Sequence, residues 1–155
     1  MSSLAQHAIS LADRGFAVFP LTTGSKIPLA GSHGCREATT DSDVVRDQWA
    51  ENPSANIGVA TGVCSGRWVL DIDPRHGGDQ SLNQLEDEHG PLPTTITVST
   101  PSGGRHFHWR CEAGSPEIRN SASRVGPGID VRGEGGYGGL VPSWRGLPNG
   151  RPRDD

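Results

Sequence analysis

The chain has 155 residues, of which 32% are apolar, with 22 Gly and 12 Pro. That length suits one domain with a real core, and the glycine and proline content argues against a helical bundle and for short elements joined by many turns. The net charge of -4 is uneven: residues 1–99 carry 6 Lys or Arg against 12 Asp or Glu, whereas residues 100–155 carry 8 against 6. Cys35, Cys64 and Cys111 are odd in number and lack a CxxC spacing, which suggests neither a disulfide framework nor a zinc knuckle and points to buried or free thiols in a reducing cytoplasm. No apolar run approaches the roughly 20 residues that span a bilayer, and no basic segment leads into an apolar one at the start, so a soluble cytoplasmic protein without a membrane partner is expected.

In chain order, residues 3–14 place Leu4, Ala8, Leu11 and Ala12 on one helical face, stopped by Gly15. Phe16 to Leu21 reads as a buried strand, followed by a turn-rich loop with Lys26, the only lysine. A second helix starts at Thr40 or Ser42 and reaches Glu51, with Val45 and Trp49 one turn apart. Asn56 to Gly62 is the next strand, and Cys64 to Arg67 turns the chain into WVLDID as a hairpin. A third helix starts near Ser81 and ends at Gly90-Pro91. TITVST and RHFHWRC form a hairpin across Pro101-Ser102-Gly103-Gly104, residues 112–127 read as irregular, and GIDVRG and YGGLV make a last strand pair. A domain over residues 1–144 is followed by an irregular or disordered tail, 145–155.

Three polar stations interrupt these strands. In Trp68 to Asp73 the strand period of two puts Val69, Asp71 and Asp73 on one face, so the two carboxylates lie roughly 7 Å apart along the strand. Carboxylate oxygens in pairs suit Mg²⁺ or Mn²⁺ rather than zinc, and two such ions can clamp the oxygens of a phosphoryl transfer. DxD alone also serves sugar-nucleotide glycosyltransferases. In RHFHWRC the apolar Phe107, Trp109 and Cys111 alternate with His106, His108 and Arg110, and the backbone of Ser102, Gly103 and Gly104 just before can approach a phosphate. His106 is placed to donate to a phosphate oxygen, while His108 reads as a surface histidine. In GIDVRG, Asp130 can complete a three-carboxylate metal site and Arg132 can bind phosphates; Lys26 is a weaker candidate for a phosphate contact.

The ordered blocks GFAVFPL, the K-x-P loop with Lys26 and Pro28, ATTD, NIGVATG, LDIDP, TPSGGRHFHW and GIDVRGEGGY resemble the N-terminal primase-polymerase domain of bifunctional DNA primase/polymerases, in the archaeo-eukaryotic primase superfamily. The resemblance covers about residues 4 to 137. It implies an α+β fold in which an RNA-recognition-like antiparallel or mixed sheet bears the active site beside an N-terminal αβ unit. It also implies a template-directed nucleotidyltransferase that joins nucleotides in DNA replication by a two-metal mechanism. By position, Asp71, Asp73 and Asp130 would be the catalytic metal ligands for Mg²⁺ or Mn²⁺, and His106 would contact the incoming nucleotide's phosphates. The implied partners are nucleoside triphosphates, a single-stranded DNA template with its primer, and a separate helicase.

After GGY the chain departs from the family's pattern. Gly138 and Gly139 stand where strand formers are expected, and only Pro142 and Ser143 echo the family's turn. The expectation is therefore a domain shortened or altered at its C-terminal side. Two alternatives stay open at this point: a catalytically weak remnant that binds nucleotide or single-stranded DNA, and a DxD glycosyltransferase.

Overall fold

A computed structural model of the chain describes residues 3–100, 102–111 and 114–140. The expected turn residue Pro101, the Pro142-Ser143 echo and the tail 145–155 lie outside the described residues. Helices α1 (Leu4–Asp13), α2 (Ser42–Glu51) and α3 (Gly78–His89) accompany β1 (Val18–Leu21), β2 (Asn56–Ala60), β3 (Arg67–Ile72), β4 (Ile96–Ser99), β5 (Arg105–Arg110), β6 (Ser121–Gly126), β7 (Ile129–Arg132) and β8 (Tyr137–Leu140). The fold is α+β, as expected, with all strand pairs antiparallel.

The strands divide into two sheets, ordered β1-β2-β8 and β4-β5-β3-β7-β6. On the smaller sheet lie α1 and α2. Ser3 caps α1 in a capping box, its hydroxyl accepting from the Gln6 amide while the Gln6 side chain accepts from the Ser3 amide. Asp41 caps α2 by accepting from the Asp43 and Val44 amides. Their apolar faces meet in one cluster of Ala8, Ala12, Val18, Val45, Trp49 and Ile57, where the buried Trp49 indole donates to the Ala55 carbonyl at 3.1 Å. A separate cluster of Ile72, Leu82 and Ile129, with Leu70, Leu85 and Phe107, joins α3 to one face of the larger sheet. The other face, with Val69 and Asp71, is turned towards α1 and the smaller sheet across a cavity.

Four expectations are corrected. The segments around β2 and β3 do not form a hairpin: β2 pairs with β1 and β8, and only the bridge between Gly62 and Arg67 joins the two segments. Gly62, at φ 97°, and the short 3-10 turn after it redirect the chain from one sheet to the other. Likewise β7 and β8 do not pair with each other but carry the chain back between sheets. Residues 121–126, read as irregular, form the edge strand β6; its mostly exposed residues and its register shift between Ala122 and Gly126 erase the alternation that marks a strand. Finally, the paired glycines do form a strand. Among the described residues β8 is an outer strand of its sheet, and Gly139 gives room to the Lys26 stem, whose Cγ would lie 2.8 Å from an added Cβ.

Gly58 on β2 is required by a different contact, because a Cβ there would lie 2.7 Å from the Phe19 ring. Gly58→Ala is expected to destabilise the fold by about 1–3 kcal/mol through overpacking. Gly138→Ala, which meets nothing within 4 Å, should leave stability within about 0.5 kcal/mol. Denaturant unfolding of both variants decides it, and equal losses would contradict this packing.

Candidate active site

The central strand β3 brings the stations together by register. Asp71 is directly opposite His106 on β5 and directly opposite Asp130 on β7, so the three form one row across the larger sheet. The next row on the same face runs Ile96, His108, Val69, Arg132. Beyond it Arg67 faces Arg110, and the Arg67 guanidinium lies 4.2 Å from the centre of the Phe16 ring. Asp71, His106, His108, Val69, Arg132 and Arg67 from these rows floor a cavity of about 510 Å³, walled on its other side by Leu11, Phe16, Val59, Thr61 and Tyr137 to Gly139. Arg14, Lys26, Arg67 and Arg132 line it, so a chain of net negative charge has a cationic cavity.

The side chains of the row are interlocked. His106 Nε2 lies 3.3 Å from Asp71 Oδ1. Arg132 Nη2 lies 3.8 Å from Asp71 Oδ2 and 3.3 Å from Asp130 Oδ2. The Ser123 amide donates to Asp130 Oδ1 at 3.0 Å, from a residue held at φ 51°, a left-handed conformation that costs a non-glycine residue energy. Burial, and to a smaller extent the charge of Asp73, push the Asp71 carboxyl up, but the hydrogen bond and charge of His106 with the charge of Arg132 outweigh them and hold it below the ordinary value.

Asp73 stands apart. β3 ends at Ile72, and Pro74 starts a 3-10 turn that Asp73 caps, with its carboxylate gripped by Arg75 through Nε and Nη2, both at 3.1 Å, and with His76 Nδ1 at 2.9 Å. Its place is fixed by the close passage of Gly78 and Gly128, whose backbones leave no room for a Cβ, and by the Asp73 amide donating to the Gly128 carbonyl at 2.8 Å. Among the described residues no three His, Cys, Asp or Glu side chains converge to hold a metal ion. The expected three-carboxylate cluster is thus a pair, Asp71 and Asp130, sharing a guanidinium. Two carboxylates still fit Mg²⁺ or Mn²⁺, because such ions are bound by one or two carboxylates together with substrate phosphates.

The turn before β5 also differs in detail. The Gly103 amide donates to the Thr100 carbonyl and the Gly104 amide to Thr100 Oγ1, both at 3.0 Å, while Ser102 Oγ lies 3.2 Å from Thr100 Oγ1. Those amides hold the hairpin closed. His108, expected at the surface, is instead mostly buried in the cavity floor; burial, then the charges of His106 and Arg67, push its pKa down to about 4, and its Nε2 has no partner among the described residues. Its apolar row neighbours Ile96 and Val69 carry that signal, but only once the strand register is known.

The family model of the bifunctional DNA primase/polymerase N-terminal domain matches residues 8–154. The chain belongs to this family. No curated protein matches the chain. Primase/polymerase domains are nucleotidyltransferases of DNA replication that are generally metal-dependent, act on nucleotides and DNA, and give no reason to keep the glycosyltransferase alternative. The match extends through the segment after GGY, where the sequence had looked least like the family. Among the described residues no helix is long and apolar enough to cross a membrane.

Arg75 first, and then His76, hold the Asp73 carboxyl far below the ordinary value of 3.8. A depressed carboxylate stabilises the fold above its unfolded pKa and loses that contribution as the pH falls towards its folded pKa. Asp73→Asn should therefore lower stability at neutral pH and show a shallower loss than the parent below about pH 4. Urea unfolding across that range measures it, and parallel curves would refute the Asp73 assignment.

Proposed function

We propose that this chain is a template-directed DNA primase or polymerase, joining nucleotides by attack of a 3'-hydroxyl on the α-phosphate of a nucleoside triphosphate. The observation that carries the reading is the row His106, Asp71, Asp130 across three adjacent strands, with His106 and Asp71 on the floor of a cationic cavity and Asp130 in register beside them, in a member of this family. Asp71 and Asp130 would hold Mg²⁺ or Mn²⁺, with Asp73 contributing to a second ion only on leaving Arg75 and His76. Bound there, such ions neutralise charge on the triphosphate and activate the attacking hydroxyl.

The protein's own groups supply the positioning. His106, oriented by Asp71, donates to a phosphate oxygen beside the row. Arg132 and Lys26 bring further positive charge to the polyanion from two sides of the cavity, the first from β7 and the second from the loop after β1. The tight turn of Ser102, Gly103 and Gly104 sets where β5 begins, and so where His106 lies. Single-stranded template and primer are the DNA partners, with strand separation provided by a separate helicase.

Primer synthesis and extension on single-stranded DNA with Mg²⁺ or Mn²⁺ test this. Asp71→Ala and Asp130→Ala should each lower the rate by at least about a hundredfold. Activity retained in both would overturn the metal-site reading. A parent chain that binds triphosphates but never extends a primer would establish the binding-only remnant instead.

A further inference from the structure

Two ionised carboxylates directly opposite each other on neighbouring strands repel, and Asp71 and Asp130 occupy such a pair of positions. Each has one oxygen fixed by the protein: Asp71 Oδ1 faces His106 Nε2, and Asp130 Oδ1 accepts from the Ser123 amide. The two remaining oxygens, both Oδ2, converge on one atom, Arg132 Nη2. The place where two hard oxygens could share a divalent ion is thus held by a side chain of the same face. Arg132 is about one-third exposed and lines the cavity, so its guanidinium can leave without disturbing the core.

We propose that Arg132 is a built-in counter-ion that weakens divalent-metal binding at the Asp71–Asp130 pair until a triphosphate draws the guanidinium away. This rests on the reading of the site given above and adds an order to it. A guanidinium pairs bidentately with phosphate as readily as with carboxylate, so a polyanion entering the cavity offers Arg132 an alternative partner. Its departure leaves two like charges facing one another, and the affinity of that pair for a divalent ion rises. Metal and nucleotide binding are then coupled through one side chain, and by linkage each strengthens the other. Arg132 acts here as a positioning residue.

The test is Mn²⁺ binding to the protein alone, without nucleotide, followed by calorimetry and by electron paramagnetic resonance of the free ion. Arg132→Gln should bind Mn²⁺ at least about fivefold more tightly than the parent, the lower end of ordinary coupling between sites. The added affinity should vanish in Arg132→Gln with Asp130→Asn. Arg132→Lys, which keeps the charge, should stay close to the parent. Thermal melting should show Arg132→Gln destabilised without metal and restored by Mn²⁺. A measurement on the unaltered protein guards against a misfolded variant: the Arg132 guanidinium ¹⁵N resonance, assigned by its loss in Arg132→Lys, should move when Mg²⁺ is added.

Equal Mn²⁺ affinity in the parent and Arg132→Gln, or a guanidinium resonance unmoved at saturating Mg²⁺, would overturn the proposal. If the parent chain nevertheless extends primers in a metal-dependent way, only this proposal falls. If parent and variant alike bind no Mn²⁺ and extend no primer, the metal-site reading falls and takes this one with it.

Discussion

The register of β3 is the constraint on which the site depends. It is the middle strand of the five, and both neighbours align their polar residues on Asp71. A slip of one residue on either side would turn His106 or Asp130 to the opposite face, into the cluster that packs on α3. Burial of Ile72, Ile129 and Leu82 against one another therefore does more than stabilise. It also fixes which charges meet on the other face, because any slip exposes those side chains to water and buries carboxylates in their place.

The cavity owes its existence to the way the chain passes between sheets. It crosses twice, after β2 and after β7, and the two crossings run side by side. Thr61 donates its hydroxyl to the Gly133 carbonyl at 2.7 Å and its amide to the Gly136 carbonyl at 2.9 Å, while the Val63 amide donates to Glu134 at 2.9 Å. Ser65 adds a link by accepting from the Ala17 amide and donating to the Ala60 carbonyl. The sheets are bound at this seam, and the cavity between them is lined by residues from both.

What was legible in the sequence was local. Alternation of apolar and polar residues in WVLDID, RHFHWR and GIDVR was enough to place Asp71, His106 and Asp130 on polar strand faces, since a strand's period needs no knowledge of its neighbours. Which residue stands opposite which was not legible, because register is decided by packing across the whole sheet. Asp73 shows where local reading stopped short: extending the alternation by two residues put it beside Asp71, whereas Asp followed by Pro also marks the start of a helical turn, and that signal prevailed. β6 was missed because an exposed, bulged edge strand needs no apolar pattern. His108 was misjudged for the opposite reason: a polar residue on a polar face reads as solvated unless the second sheet that covers it is known.

Lys26 sits on the cavity wall, held by a hydrogen bond from the Tyr137 hydroxyl to its carbonyl at 3.0 Å and by the space left at Gly139. It carries the only side-chain amine in the sequence, and the residue is exposed. Acylating reagents therefore meet a single lysine target, and that target lies at the cavity. The fold thus provides a point of attachment, reached without any substitution, from which a fluorophore or crosslinker would report on whatever occupies the space between the sheets.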